Sequence, residues 1–490
     1  MAEPAGGRLA AVVLAAGAGS RFGGGKLLAA VGGRRILQHV LDAIAEAGIA
    51  DVVVVLGTDA ERIEGGIEWR AERRIRNPDP AAGLASSLRI GFAALARAAK
   101  AEAGTDGSPT PDAILVALGD QPLISPATIR ALVNATRDPE RPVVVPRYAN
   151  DRGRNPVLLG REAFRLIDET AGDRGLGPVL EAHPDVVHEV PVDGDNPDID
   201  ARADLATLAE RAWADRVRAN RGQVDRLRER PDGADFYAPV TGLFRADPRR
   251  TDESVLVALV ELAESDETWL DIGAGAGRYA LPLALRVRRV IAVDPSRGML
   301  GALGEGMAEY GIANIEVVEG RWPPAPGDAL AAAIGPLPAV DVSLIAHVSY
   351  DVEAIGPFID AMEAAARRLC VAILMERQPA SLADPCWPLV HGEARIPLPA
   401  LPDFVELLRA RGRDPQVRMM EREARRFASR SELEGFLLRQ LWIDIEGPKA
   451  RRFESAVDEL LDSGADGTVS LRGVLPMAVG VVTWEPHVQS

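Results

Sequence analysis

The chain has 490 residues and a formal net charge of -16 at pH 7, with 56 Lys and Arg against 72 Asp and Glu. This length exceeds what one hydrophobic core usually organises, so two or three domains are expected. A composition of 47% hydrophobic and 26% charged residues is that of a globular protein. The acidic balance argues against nonspecific binding to nucleic acid or anionic membranes and leaves small molecules as the expected partners.

The cysteines and the N-terminal region bear on the compartment. Cys370 and Cys386 form neither a metal-spaced cluster nor a disulfide framework, which favours a reducing compartment. Residues 9–16 are apolar and follow Arg8, as in a secretory signal, but cleavage there would remove the glycine-rich turn described below. No apolar stretch reaches the roughly 18 residues that span a bilayer. We therefore expect a cytoplasmic protein.

The first part of the chain alternates short β-branched runs with amphipathic segments. Helical spacing of apolar residues predicts helices over 36–47 and 88–99. The predicted strands are 11–14, 52–56, 114–118, 143–145 and 186–190. This alternation is typical of a mostly parallel, doubly wound sheet.

The first predicted strand runs into a glycine-dense turn that ends at Lys26. Glycines allow backbone N–H groups to approach anionic oxygens, so the turn is a candidate triphosphate site. Lys26 is one of only three lysines in the chain, which indicates chemistry at this position. Lys26 and Arg21 are candidate catalytic cations. The candidate nucleotide-binding residues of this turn are Leu14, Ala15, Ala16, Gly17 and Gly19.

Two acidic segments are candidates for a metal site. Nucleotidyl transfer needs cations and carboxylates to converge on a polyphosphate. Asp120 directly follows the strand predicted over 114–118, where parallel sheets place ligand residues, and is both a catalytic and a metal candidate. Residues 195–200 offer Asp198 or Asp200 to the same Mg²⁺, and we favour Asp200. Taken singly, each motif is also compatible with an ordinary turn or helix start.

A helical stretch separates two halves of the chain. Residues 204–230 are rich in Ala, Arg, Glu and Leu, and Pro231, Asp232 and Gly233 then break the pattern. We predict a first domain over 1–211, a helical linker over 212–233 and a second domain over 234–490.

The second half repeats the alternation, with strands predicted over 269–272, 290–293, 315–318, 342–345, 371–374 and 477–484. Its first strand leads into an Asp-x-Gly-x-Gly-x-Gly turn, and the second ends in a carboxylate about 20 residues on, the spacing of a nucleoside site. The candidate cofactor-binding residues are Asp271, Gly273, Gly275, Gly277, Asp294 and Glu319.

Other residues of this half have weaker cases. His347, Tyr350 and Glu376 lie near strand ends and could act as a base, but a structural role is favoured for them. Phe236 and Tyr237 precede the first strand and fit either a lid or core packing.

The first ~210 residues resemble the MobA-like nucleotidyltransferases, particularly the molybdenum cofactor cytidylyltransferase branch. Residues 14–26 follow the family pattern throughout, 119–122 resemble its metal segment and 198–200 its closing acidic motif. Residues 77–78, 83–84 and 86–87 resemble the base-binding segment, which adds Gly83 and Ser87 as nucleotide-binding candidates.

The same resemblance implies the reaction. Residues 154–157 and 172–175 resemble cofactor-binding segments of the molybdopterin branch, although Arg154 departs from the glycine common at that position. The resemblance implies Mg²⁺-dependent transfer of CMP from CTP to the terminal phosphate of molybdopterin, with release of pyrophosphate. GTP in place of CTP, and a sugar phosphate or another phosphomonoester as acceptor, remain open. Transient contact with a molybdoenzyme or its chaperone is also implied.

The last ~260 residues resemble class I S-adenosylmethionine-dependent methyltransferases. A carboxylate ahead of the first glycine suits the methionine ammonium of that cofactor better than the pyrophosphate of a dinucleotide. Methyl transfer depends largely on orientation, so the sequence does not identify the acceptor. The leading hypothesis is a bifunctional enzyme. The alternative is a nucleotidyltransferase whose second domain binds S-adenosylmethionine without catalysis, as a sensor.

Overall fold

The computed structural model describes residues 8–17, 19–102, 111–135, 140–149, 153–230, 245–325, 327, 329–334, 339–422, 425–464, 466–474 and 476–487. The chain divides into two compact units, Met1–Ala206 and Thr207–Ser490. We refer to them as the first and second units. Pro231, Asp232, Gly233, Phe236 and Tyr237, which the sequence analysis singled out, lie outside the described residues.

The first unit contains a seven-stranded sheet flanked by helices and a separate two-stranded hairpin. Its strands are β1 (Leu9–Ala15), β2 (Ala30–Val31), β3 (Arg34–Arg35), β4 (Asp51–Leu56), β5 (Arg73–Arg76), β6 (Ala113–Leu118), β7 (Val143–Tyr148), β8 (Val157–Gly160) and β9 (Val187–Val192). Its helices are α1 (Ile36–Glu46), α2 (Ala60–Gly66), α3 (Leu84–Glu102), α4 (Pro126–Ala135) and α5 (Gly177–Ala182).

The strand order of this sheet is β5-β4-β1-β6-β8-β7-β9, and β2 and β3 form a separate hairpin. Only β8 runs antiparallel to its neighbours. Parallel strands covered by helices are buried on both faces, which explains the nearly continuous Val, Leu and Ala runs of β1, β4 and β6. The carboxyl ends of β1 and β6 are adjacent, because Leu14 pairs with Leu118.

Helix α6 (Arg202–Leu227) contains the division between the units. The part that belongs to the second unit packs closely on that unit. The Trp213 indole Nε1 donates to the carbonyl of Val352 at 2.9 Å, and its ring lies edge-on to Phe404 at a centroid distance of 6.2 Å. Gln223 donates to the carbonyl of Ala394 and accepts from the backbone N–H of Ile396, both at 2.8 Å. The predicted linker, 212–233, is thus helical up to Leu227, and this helical part packs on the second unit.

The second unit has the strands β10 (Thr268–Ile272), β11 (Arg289–Asp294), β12 (Ile315–Glu319), β13 (Val340–Ala346), β14 (Ala366–Met375), β15 (Gln416–Met420), β16 (Leu461–Ser463), β17 (Val469–Leu471) and β18 (Val479–Trp484). Its further helices are α7 (Ser254–Glu261), α8 (Ala280–Ala284), α9 (Arg297–Tyr310), α10 (Ala329–Ile334), α11 (Ile355–Ala365), α12 (Trp387–His391), α13 (Leu401–Ala410), α14 (Arg430–Gln440) and α15 (Ala450–Leu460).

The main sheet of this unit has the order β12-β11-β10-β13-β14-β18-β15, and β16 and β17 form a separate pair. Strands β10 to β14 are parallel, whereas β18 lies antiparallel between β14 and β15. The strand order reverses on either side of β10, and such a switch point is where doubly wound sheets bind ligands. The prediction of two doubly wound α/β domains is confirmed. Within the described ranges, no helix is long and apolar enough to cross a membrane.

Candidate active sites of the two units

In the first unit, the structure brings four predicted site residues together at the carboxyl edge of the sheet. The Lys26 ammonium Nζ lies 2.7 Å from Asp120 Oδ2 and 3.2 Å from Asp200 Oδ1. Arg21 is exposed, with its guanidinium Nη1 3.7 Å from Asp200 Oδ2. Two cations of the glycine-rich turn therefore face two carboxylates that come from distant parts of the chain.

Backbone contacts hold these segments in place. Residues 15–17 leave the end of β1, and Gly19, with a left-handed φ of 56°, accepts backbone hydrogen bonds from Phe22 and Gly24. The N–H of Gly119 donates to Leu14, which fixes the Asp120 loop beside the glycine-rich turn. A Cβ on Gly119 would lie 3.2 Å from the Ala15 Cβ, so the close approach of the two loops favours glycine there.

The acidic segment is tied to the Asp120 loop. The N–H of Ile199 donates to the Asp120 carbonyl, and the Gln121 amide donates to Asp198 Oδ1 at 2.9 Å. Burial, together with the charges of Asp120 and Asp200, raises the pKa of Asp198. Asp200, and not Asp198, is the carboxylate in contact with Lys26. The contact between Gln121 and Asp198 was not anticipated from the sequence, although both residues lie in motifs that were.

Lys26 is strongly held in this cluster. Burial by itself would lower the pKa of Lys26, but the charge and hydrogen bonds of Asp120 and Asp200 outweigh it and raise that pKa. The ammonium therefore stays charged at neutral pH. The two carboxylates that share this ammonium offer oxygen atoms as ligands, and hard divalent ions prefer oxygen ligands.

The predicted base-binding residues form a second group in this unit. Asn77 Nδ2 donates to Ser87 Oγ at 2.9 Å, and both side chains are buried. Gly83 has a φ of 89°, and a Cβ there would lie 2.5 Å from the carbonyl carbon of Gly172. The structure thus places the segment around Gly83 against Gly172, in the segment 172–175 that resembles a cofactor-binding segment of the molybdopterin branch.

In the second unit, the predicted glycine turn connects β10 to the following helix. Gly273, Gly275 and Gly277 all have left-handed φ values, of 74°, 56° and 83°. A Cβ on Gly273 would lie 2.4 Å from Val348 Cγ2. The turn is also fixed by Asp294, whose Oδ2 accepts from the N–H of Gly275 at 2.9 Å.

Asp271 is the most unusual residue of this site. It is 1% exposed, and its Oδ1 has no hydrogen-bond partner among the described residues. Burial, with a smaller contribution from the charge of Asp294, raises the pKa of Asp271 to about 7. A buried carboxyl group with an open acceptor atom is prepared for a cationic partner.

Asp294 and Glu319 end adjacent strands and lie opposite each other in register. The Asp294 Oδ1 accepts from the N–H of Ser296, so both of its oxygens bind backbone groups. Glu319 is exposed and paired with Arg297 at 2.9 Å. The Glu319 carboxylate would have to leave this ion pair, or share it, to contact a ligand.

The weaker candidates lie beside the same edge. His347 and Ser349 follow β13 with left-handed φ values of 57° and 90°. Burial lowers the pKa of His347 to about 4, so its ring is neutral at pH 7. The Tyr350 hydroxyl accepts from the backbone N–H of Met375 at 2.7 Å, and Glu376 is exposed.

Sequence reasoning missed a half-buried ionic cluster near His347. Glu253 accepts from Arg250 at 2.7 Å and from Arg278 at 2.9 Å, and the Tyr279 hydroxyl lies 3.3 Å from it. The ring centroids of Tyr279 and His347 are 6.3 Å apart. Arg278 directly follows the last glycine of the motif. Nothing in the sequence pairs it with Glu253, which lies before β10.

Each unit of the chain matches a different family model. Residues 11–187 match the family model of the MobA-like NTP transferase domain, and residues 270–333 match that of a methyltransferase domain. The resemblance of the two halves to these families is thereby confirmed.

Individual relatives match mainly the first unit. A protein named bifunctional protein GlmU from Rhodospirillum rubrum is 34% identical over 168 residues, which are 34% of this chain and 33% of that protein. The chain thus spans about a third of the length of such relatives. A nucleotidyl transferase from Methanothermobacter thermautotrophicus is 27% identical, with a TM-score of 0.34 over 41% of this chain and 96% of that one. The YcgJ protein from Bacillus subtilis is 13% identical, with a TM-score of 0.33 over 48% of this chain and 98% of that one.

Proposed function

We propose that the first unit transfers CMP from CTP to the terminal phosphate of a molybdopterin-type acceptor, with Mg²⁺ bound by Asp120 and Asp200, and releases pyrophosphate. The observation that carries this proposal is the sharing of one ammonium by two carboxylates beside a glycine-rich turn. A divalent cation binds to carboxylate oxygens, and a polyphosphate binds to cationic side chains and backbone N–H groups, so a site for both ligands contains all of these groups.

Each group of the cluster has a distinct task in this proposal. The backbone of the turn from Ala15 to Gly19 approaches the polyphosphate, and Arg21 and Lys26 neutralise it. Asp120 and Asp200 supply oxygen ligands for Mg²⁺, which when bound would withdraw charge from the phosphates. The fixed donors lower the cost of the charge that develops on the leaving pyrophosphate.

A sugar phosphate is the second candidate acceptor. The matches to proteins named bifunctional protein GlmU favour it, although they cover only about a third of those proteins. The molybdopterin candidate is supported by residues 154–157 and 172–175. Gly172 lies against Gly83, so a segment related to the acceptor meets one related to the nucleotide.

Pyrophosphate release distinguishes these acceptors. The full-length protein is assayed with CTP or GTP and Mg²⁺, in the presence of molybdopterin or of a series of sugar phosphates. We expect release with CTP and molybdopterin, and its loss in Lys26→Ala and in Asp120→Ala. Arg34→Ala is the matched control, because it removes a cation of the same unit that pairs with Asp42 at the surface. Release with sugar phosphates alone would replace molybdopterin by that class, and turnover in the Lys26 or Asp120 variant comparable to the control would refute the site.

For the second unit, we propose S-adenosylmethionine-dependent methyl transfer. Asp271 offers its open Oδ1 to the methionine ammonium, and Asp294 is placed at the end of β11 to accept from the ribose hydroxyls. The buried position of Asp271 excludes water and strengthens the interaction of its carboxylate with a cation.

Binding and turnover are measured in parallel to separate an enzyme from a sensor. S-Adenosylmethionine binding is followed by calorimetry, and methyl transfer is followed with a radiolabelled methyl group across candidate acceptors, including the product of the first unit. Turnover with any acceptor supports the methyltransferase. Tight binding without turnover favours the sensor, and absence of binding would contradict both.

A further inference from the structure

Lys26 occupies the position that the proposed function assigns to a metal ion. Its ammonium contacts Asp120 at 2.7 Å and Asp200 at 3.2 Å, and only 10% of the side chain is exposed. A divalent ion shared by these two carboxylates would need the same space, because its bonds to oxygen are short. The ammonium and the ion therefore compete for the same oxygens.

We propose that Lys26 closes the divalent-ion site in the nucleotide-free protein, and that a polyphosphate opens it by drawing the ammonium away from Asp120 and Asp200. This inference rests on the proposed function of the first unit. It makes the binding of metal and nucleotide coupled events: neither ligand binds well until the other is present.

The charges of the cluster support this coupling. Lys26 contacts both Asp120 and Asp200, and Arg21 lies 3.7 Å from Asp200, so two cations face two carboxylates here. A triphosphate that enters without a divalent ion is repelled by these carboxylates. When it attracts Lys26, Asp120 and Asp200 lose their shared cation and repel each other, which increases their affinity for a divalent ion. The factor by which the nucleotide increases the affinity for the metal ion must equal the factor by which the metal ion increases the affinity for the nucleotide.

The geometry also limits how far Lys26 must move. Lys26 starts a short helical turn, Lys26–Leu28, and its Cβ lies 3.3 Å from the position of a Cβ built on Gly19. The stem is thus packed beneath the glycine-rich turn, and rotation of the outer side chain suffices to carry the ammonium from the carboxylates toward that turn. Among the described residues, no group of three or more His, Cys, Asp or Glu side chains could hold a metal ion. Phosphate oxygens would complete the ligand set that two carboxylates begin.

Binding of Mn²⁺ to the full-length protein tests the proposal without an activity assay. Free Mn²⁺ is measured by electron paramagnetic resonance, with and without α,β-methylene CTP, which cannot be cleaved. For the wild type we expect at least a tenfold gain in Mn²⁺ affinity when the analogue is present. Lys26→Met should bind Mn²⁺ at least tenfold more tightly than the wild type in the absence of nucleotide.

Two further variants make the result specific. Arg34→Met removes an exposed cation of the same unit and controls for the change in net charge, so it should behave as the wild type. Lys26→Gln keeps a polar side chain without the charge and replaces Lys26→Met if that variant does not fold. The gain in Mn²⁺ affinity without nucleotide should appear in either Lys26 variant.

The failure of this inference can be told apart from that of the proposed function. If the Lys26 variants bind Mn²⁺ no better than the wild type without nucleotide, while Asp120→Asn abolishes the Mn²⁺ binding seen with the analogue, the closure by Lys26 is wrong and the metal site stands. If Asp120→Asn and Asp200→Asn bind Mn²⁺ with the analogue as the wild type does, the metal site itself is wrong.

Discussion

Replacing Asp271 by Asn should stabilise the second unit at alkaline pH while weakening its proposed binding of S-adenosylmethionine. The folded-state pKa of Asp271 is about 7, against its ordinary value of 3.8. The folded protein therefore binds more protons than the unfolded chain between these values, and the free energy of unfolding falls as pH rises through that window. At 1.36 kcal/mol per pKa unit, the total loss is about 4 kcal/mol. The Asp271→Asn variant has no such loss, because an amide does not titrate.

The stability effect can be measured on the intact chain. Six of the seven tryptophans, all except Trp69, lie in the second unit, so fluorescence reports mainly on its unfolding. Urea titrations at pH 5 and pH 8 should show a pH-dependent decrease in the wild type that Asp271→Asn removes. Glu319→Gln is the control, since it changes an exposed carboxylate of the same sheet, on β12. Parallel pH dependences of the wild type and Asp271→Asn would refute the buried, unpaired state of this carboxyl group.

The binding effect has the opposite sign. The ammonium of S-adenosylmethionine favours the ionised carboxylate, so affinity for the wild type should increase from pH 5 to pH 8. Asp271→Asn should lose about 1.5–3 kcal/mol, the usual range for a hydrogen bond to a charged group, and most of the pH dependence. Calorimetry at both pH values measures this. An unchanged affinity would show that the carboxylate does not meet the cofactor.

Three further substitutions test the second unit. Gly273→Ala places a Cβ 2.4 Å from Val348 in a left-handed conformation and should cost at least about 1 kcal/mol of stability, measured by urea unfolding; a neutral effect would contradict the close packing of this turn. Asp294→Ala removes the acceptor of the Gly275 and Ser296 N–H groups and should weaken S-adenosylmethionine binding by about 1.5–3 kcal/mol in calorimetry. Wild-type affinity in that variant would leave Asp294 without a role in binding. Trp213→Ala should destabilise the second unit by about 3–5 kcal/mol, since the indole is 3% exposed, and a loss below about 1 kcal/mol would show that α6 is a dispensable connection.

The main strands could be predicted from the sequence because their apolar runs are long and bounded by turn residues. The strands that were missed are those with weak patterns. Arg73–Arg76 is an edge strand with three arginines, and Gln416–Met420 is an edge strand exposed over four of its five residues. Val157–Gly160 lies inside its sheet and is buried, but its apolar run of three residues is short. Edge strands need charges that prevent further pairing, so they lack the apolar signal that identifies central strands.

The sites were only partly predictable for a related reason. Motifs identified Lys26, Asp120 and Asp200 one by one, but these contacts join residues 94 and 174 positions apart. Which of two neighbouring carboxylates faces the lysine depends on the path of the loop after Ile199, which is set by its bond to the Asp120 carbonyl. The pairing of Glu253 with Arg278 depends similarly on tertiary structure. Helix α6 had a clear composition, yet only the contacts of Trp213 and Gln223 show where it packs.

The two units balance the acidic groups of their sites in different ways. In the first, the negative charges of Asp120 and Asp200 are neutralised within the protein by Lys26. In the second, no cation among the described residues neutralises Asp271, whose pKa of about 7 leaves it protonated over part of the physiological range. In the functions proposed here, a divalent ion of the first unit must therefore displace an internal cation, whereas a cationic ligand of the second must displace a proton. Binding in the first unit should consequently depend on divalent ions and change little near pH 7, whereas binding in the second should depend on pH and be indifferent to those ions.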